Sequence, residues 1–267
     1  MPKIKLRFGE AQADESIPPL ETLAEEVERN GIFGTTGNRR GVSMESEGEE
    51  YTIGDDYIYL RYVHEVTEER KEIDEGEVVI GEGNIARIMR FLLTQDGSYA
   101  YESTSGVYDD NALEYLIGDD SFEIDFQCNR YNRFTREQMK EFYEGAFRVR
   151  GLKLDEIGDR DEENTSIDSD VAGHVDRAGE SVVRAEFSTG QQDNNLQGPP
   201  IVDGFARLSE VDYLRMKNAE GQINEAYQSG RYTISHPADI DLDQEGERVR
   251  DVLSSVTDGL AHEEDSD

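Results

Sequence analysis

Apolar and polar positions alternate from Lys3 to Phe8, which predicts a short strand. Leu20, Leu23, Ala24 and Val27 instead recur at helical spacing, between Pro18-Pro19 and the stop signal Asn30-Gly31, and predict a helix. Tyr57 to Val66 alternates with rings on both sides, and Glu77 to Ile80 is a shorter strand candidate. Ile85 to Thr94 and Ser98 to Ser103 flank Gln95-Asp96-Gly97. The Asp-Gly pair supplies the positive φ of a tight turn, so these runs form a hairpin. A short helix is expected from Asn111 to Ile117, and Phe122 to Phe134 reads as a strand with Phe122, Ile124, Phe126 and Cys128 on one face. Thr135-x-x-Gln138 is a capping box: the hydroxyl satisfies an early backbone amide while the glutamine reaches back. Met139, Phe142, Tyr143 and Ala146 continue it as a compact amphipathic helix, and Phe147 to Leu154 returns as a strand.

From Asp155 to Asp170 the chain is almost entirely acidic and polar, the mark of a linker or long loop. Beyond it the pattern is less regular: a strand near Ser181 to Phe187, a Gly/Gln/Asn-rich loop to Pro200, a helix at Ile201 to Leu208, and mixed structure to Ser235. Val249, Val252, Leu253 and Val256 mark a last amphipathic helix, before the acidic Glu263-Glu-Asp-Ser-Asp267, expected to be a solvated tail. Strands and helices interleave irregularly and hairpin chemistry is prominent. The expected fold is therefore α+β, mostly antiparallel sheet with several short helices and an acidic C-terminal tail. The expected organisation is an α+β main domain over 1–155, a linker over 156–170, a smaller α+β part over 171–235 and an acidic segment over 236–267.

Composition changes what this pattern means. The 267 residues hold 61 Asp and Glu against 27 Lys and Arg, a formal net charge of −34, and only 35% are hydrophobic. Such values alone read as disorder; the patterned segments, with 13 Tyr and 10 Phe among the residues, argue for a folded protein. Lys3, Lys5, Lys71, Lys140, Lys153 and Lys217 are the only lysines. Excess carboxylate with scarce lysine resembles the composition of cytosolic proteins adapted to multimolar salt, where the Debye length falls to about 3 Å or less and surface repulsion is screened. The expected location is cytoplasmic, since no run approaches the roughly 18 apolar residues needed to span a bilayer and the first residues lack a hydrophobic signal core. A single cysteine, Cys128, excludes an internal disulfide framework and multi-cysteine zinc sites. Its place on the apolar face of a strand predicts a buried, inert thiol.

One stretch departs from the acidic rule. Gln127 to Lys153 contains Arg130, Arg133, Arg136, Lys140, Arg148, Arg150 and Lys153 against only Glu137, Glu141 and Glu144, with Tyr131, Phe134, Phe142, Tyr143 and Phe147 among them. Cationic groups suit phosphates and rings suit bases. Arg130, Tyr131, Arg133, Arg136, Lys140, Arg148, Arg150 and Lys153 are therefore the candidate nucleic-acid or polyanion-binding residues, with an acidic protein as the other partner class. The opposing structural reading is that these bases pair with surplus carboxylates and hold an acidic fold together.

Other motifs are weaker. The loop holding Gly31, Gly34, Gly37, Gly41 and Arg39-Arg40 follows a helix and lacks the Lys-Ser or Lys-Thr of a phosphate loop. Asp239-x-Asp241-x-Asp243 lacks the glycine and twelfth-position glutamate of a calcium loop and reads as an acidic entry to the last helix. His64 shares a strand face with Ile58, Leu60 and Tyr62, which predicts a partly buried histidine. No nucleophile elbow, zinc-protease helix or dinucleotide fingerprint is present, so no catalytic residue, metal ligand or cofactor is assigned. The expectation is a salt-adapted cytosolic binding or accessory protein acting through the basic aromatic segment. Two alternatives stand beside it: a metal-dependent nuclease or phosphoesterase using Glu123 and Asp125, and an acidic surface that mimics DNA.

Overall fold

A computed structural model describes residues 3–13, 16–42, 51–74, 77–103, 116, 126–156, 173, 175, 177–178, 184–190, 194–235, 237 and 240–264. Among these, thirteen strands and four helices are present, and the pairings are antiparallel, a sheet-rich α+β protein. No helix among the described residues is long and apolar enough to cross a membrane. The chain divides into two compact units, each assembled from separate stretches. The N-terminal unit takes 7–130 and 239–253, and the C-terminal unit takes 131–238 with 1–6 and 254–267.

The N-terminal unit contains most of β1 (Lys3–Ala13), then α1 (Leu20–Asn30), β2 (Ile32–Phe33), β3 (Arg40–Gly41), β4 (Tyr51–Ile53), β5 (Tyr57–Asp74), β6 (Glu77–Thr94), β7 (Ser98–Glu102) and β8 (Phe126–Arg130). Strand order runs β1-β7-β6-β5-β3-β2, with β8 also on β1 and β4 also on β5. The Gln95-Asp96-Gly97 turn forms as expected, with Gly97 at φ 99°. Two expectations are corrected. Tyr57 to Val66 is only the start of an 18-residue strand, and the separate runs Glu77–Ile80 and Ile85–Thr94 are one strand of 18 residues. Gly81 and Gly83 look like breaks in sequence, but unbroken pairing from Tyr57↔Thr94 to Asp74↔Glu77 carries the ladder through them.

Tyr57, Ile58, Tyr59 and Leu60 are all buried because β5 is covered on both faces. One face, with Ile58, Leu60 and Tyr62, packs in a cluster with Leu20, Leu23, Ala24 and Val27 of α1, each leucine, isoleucine or valine contributing about 1.5–3 kcal/mol when fully buried. The other face meets the first turns of α4 (Leu242–Glu264), where an added Cβ on Gly246 would stand 3.2 Å from both Tyr57 and Tyr59. Glycine there lets helix backbone approach the strand closely. His64 is buried, as its face predicted. The helix expected over Asn111–Ile117 lies outside the described residues except for Leu116, which joins this core.

The C-terminal unit holds α2 (Arg136–Gly145), β9 (Arg148–Asp155), β10 (Arg184–Ser188), α3 (Pro200–Leu208), β11 (Glu210–Lys217), β12 (Ile223–Tyr227) and β13 (Arg231–Ser235). Its strand order is β10-β9-β11-β12-β13, and Lys3 to Leu6 of β1 pair with Ser235 to Tyr232. The mixed structure expected up to Ser235 is in fact a regular three-strand meander, turned at Gly221 and Gly230, both with positive φ. The capping box of α2 is complete: Gln138 N–H donates to Thr135 Oγ1 at 3.1 Å, and Thr135 N–H donates to Gln138 Oε1 at 2.8 Å. The Gln138 amide also donates to the Val256 carbonyl at 2.6 Å, which ties α2 to the second half of α4. The expected strand Phe122–Phe134 is described only as Phe126–Arg130, and Phe134 is buried in the turn leading to α2. The acidic run after Glu156 and the last residues of the tail lie outside the described residues.

Candidate binding site

The basic segment runs through β8, α2 and β9 and divides between the two units. In the N-terminal unit, exposed Arg130 ends β8, its guanidinium 5.7 Å from the centre of the Tyr101 ring. In the C-terminal unit, Tyr131 is half-buried and Arg133 pairs with Glu210 at 2.9 Å. Arg136 and Lys140 lie one turn apart on α2, both half-buried, with exposed Glu137, Glu141 and Glu144 between and beyond them.

A bulge decides where the β9 bases go. Strict alternation would put Arg148, Arg150, Leu152 and Leu154 on one face. The register against β11 shifts between Gly151 and Val149, which inserts an extra residue at Arg150. Val149, Leu152 and Leu154 are consequently buried, while Arg148, Arg150 and Lys153 are the less buried positions. Arg150 donates to the Thr189 carbonyl at 3.2 Å. Lys153 lies 3.5 Å from Glu186 and 5.7 Å from the centre of the Tyr213 ring. Carboxylates and carbonyls of the protein itself thus engage Arg133, Arg150 and Lys153.

Arg148 stands against an aromatic ring. Its guanidinium lies 5.4 Å from the centre of the Phe147 ring, which is 58% exposed. Directly opposite Arg148 in the β9–β11 register is Lys217, so two cationic side chains stand together. Lys217 and Phe147 both line an open groove of about 440 Å³ between the C-terminal end of α2 and the β11–β12 turn. Phe142, Met216 and Tyr232 supply its apolar wall, with Phe142 set edge-on to Tyr232 at 5.6 Å between ring centres. Burial pushes the Tyr232 phenol up to about 12, partly offset by the Asn224 side chain that lines the groove beside it. The groove therefore offers an exposed ring, one cation, the amides of Asn218 and Asn224 and the Glu141 carboxylate around one concavity, with Arg148 next to Phe147 at its side.

The sequence pointed to Arg148 but not to Lys217. Lys217 is separated from the basic segment by the whole α3 region and reaches it only through strand pairing. Its rarity as a lysine was the one available signal.

The remaining motifs have structural settings. Glu65 fills the glycine-rich loop: its carboxylate accepts from the Gly37 N–H at 2.6 Å and from Arg39 Nε and Nη2 at 3.2 and 3.0 Å. The loop thus binds an anion, and the anion is the protein's own. Arg39 above all, and the backbone amides of Gly37 and Arg39, hold the Glu65 carboxyl down to about 2 against the opposing effect of desolvation. Asp241 accepts from the Gln244 N–H at 2.8 Å, which makes it the entry cap of α4. Cys128 is half-buried, and burial pushes its thiol up to about 11, partly offset by the Tyr99 hydroxyl. Glu123 and Asp125 lie outside the described residues, and no group of three or more His, Cys, Asp or Glu that could hold a metal ion occurs among the described ones. No known protein-family model matches the chain, and no curated protein is significantly similar to it.

Proposed function

We propose that this is a salt-adapted cytosolic binding protein, without a catalytic step of its own, whose C-terminal unit holds an unpaired nucleic-acid strand. The observation that carries this reading is the Arg148–Lys217 pair beside the exposed Phe147 ring at the groove. A base can stack on Phe147, with the adjoining phosphate against Lys217 and Arg148 and the Asn224 amide near the base edge. Charge alone does not carry such binding, because counterion release makes phosphate contacts weaken steeply as salt rises. Stacking, about 1–3 kcal/mol per base, depends far less on salt and suits a protein of this composition.

Fluorescence anisotropy with a labelled single-stranded oligonucleotide, repeated from dilute to molar KCl, tests the assignment. Phe147→Ala is expected to weaken binding at every salt concentration, and Lys217→Gln chiefly at low salt. A parent that does not bind, or a Phe147→Ala variant that binds as the parent does, overturns the proposal.

A further inference from the structure

The β5–β6 hairpin continues past its neighbours. On the β5 side, β3 stops at Arg40↔His64, extended by one hydrogen bond from Glu65 N–H to the Arg39 carbonyl at 2.7 Å. On the β6 side, β7 pairs with Phe91 to Leu93. From Thr67 to Asp74 and from Glu77 to Ala86, the two strands pair only with each other among the described strands. A two-stranded ribbon is marginal by itself in water, because half of its backbone groups and one edge of each strand remain without a ladder.

The direction of the unladdered groups follows from two hydrogen bonds. Glu65 N–H points toward β3, and Gln95 N–H donates back to Asp56 at 2.8 Å. Antiparallel strands alternate the side to which N–H and C=O point, and the β5–β6 register has no shift along its length. Odd-numbered residues of β6 therefore face β5, and Ile80, Glu82, Asn84, Ala86 and Ile88 direct their backbone groups away from it. The side chains of these same five residues are exposed, Ile80 by 67% and Ile88 by 52%. Natural sheets defend such an edge with charged side chains, lysine above all, with proline or with a bulge, and of the five outward positions only Glu82 carries a charge. Strand β6 has no lysine, no proline and no register shift.

We propose that this edge of β6 is a self-association surface, on which a second copy of the chain adds its own β6 antiparallel about Asn84. The order of residues is self-complementary around that centre. Asn84 meets its own copy, Glu82 meets Ala86, and Ile80 meets Ile88 on the exposed face. A two-fold axis there closes the assembly as a dimer, pairs both isoleucines and forms about ten backbone hydrogen bonds. Centring on Glu82 instead would oppose two carboxylates.

Sedimentation equilibrium of the full chain in molar KCl tests this. The parent is expected to be a dimer. Asn84→Pro removes the central outward N–H while sparing the β5–β6 ladder, and it is expected to lower dimer affinity by about tenfold or more, the scale of one or two lost hydrogen bonds. The double variant Ile80→Lys/Ile88→Lys places charges on the same edge without touching the backbone and is expected to be monomeric, with the parent's far-ultraviolet circular dichroism. A monomeric parent overturns the proposal. So does a dimer of undiminished affinity in the folded double variant, whether or not Asn84→Pro folds.

Discussion

The Glu245 carboxylate on α4 accepts from the Arg61 guanidinium on β5 at 2.8 Å, with only 1% of its side chain exposed. Its other oxygen takes Arg90 Nε at 2.9 Å, and Arg90 reaches on to Glu102 at 2.7 Å. A carboxylate buried this deeply is tolerable only because two guanidiniums face it. Removing its charge leaves both arginines without their shared partner. Glu245→Gln is expected to destabilise the protein by about 3 kcal/mol, the lower end for breaking a buried ion pair, measured by urea unfolding at fixed molar salt. An unchanged midpoint would mean that water replaces the carboxylate at no cost.

Two carboxyls held below their ordinary values link stability to pH. Burial pushes the Glu245 carboxyl up, but the Arg61 hydrogen bond and the charges of Arg90 and Arg61 hold it below its ordinary value. Glu65 is lowered to about 2, chiefly by Arg39. In both cases the unfolded chain takes up protons at a higher pH than the folded protein does. Their contribution is thus fully present above the ordinary carboxylate range and is lost as pH falls through it, for Glu65 down to about 2. Urea midpoints measured from neutral to acid pH should fall in that window, and Glu65→Gln should flatten the fall. Hydrogen exchange at Gly37 and Arg39 should accelerate in the same variant.

Repulsion is written into the ribbon. Glu69 lies directly opposite Glu82 in the β5–β6 register, and both are exposed. Glu82→Gln is expected to raise stability by about 0.5 kcal/mol in dilute buffer, with the gain vanishing in molar salt as the Debye length drops to about 3 Å. The parent's own melting temperature should rise over the same salt range. A gain that persists undiminished in molar salt would assign the effect to packing.

The Gln138 side chain serves α2 and α4 at once. It closes the capping box with Thr135 and donates to Val256, with 1% of the residue exposed. Gln138→Ala should cost about 2 kcal/mol, one cap and one buried hydrogen bond. Thr135→Ala, which breaks only the cap, should cost about half as much. Equal losses in thermal unfolding would place the whole effect at the cap.

Local devices were legible because they depend on residues close in sequence. The Thr135–Gln138 box, the Asp96-Gly97 turn and the apolar stripe of α4 each carry their own chemistry within a few positions. The two long strands were not legible, since Gly81 and Gly83 resemble breaks until the facing residues of β5 are known to continue the ladder. Of the candidate site, Arg148 was visible in the basic run. The bulge at Arg150 and the arrival of Lys217 were not, because register is a property of two strands and not of one.

The sequence by itself determined the strong charge excess, the sheet-rich α+β character and the segments with helical or alternating period, all set by side-chain chemistry and local spacing. Only the tertiary structure decided which charges meet. Glu65 occupies the glycine loop, Glu245 lies between two arginines, and Lys217 stands beside Arg148. Pairing between strands and packing across a sheet act over distances in space that bear no fixed relation to distance along the chain.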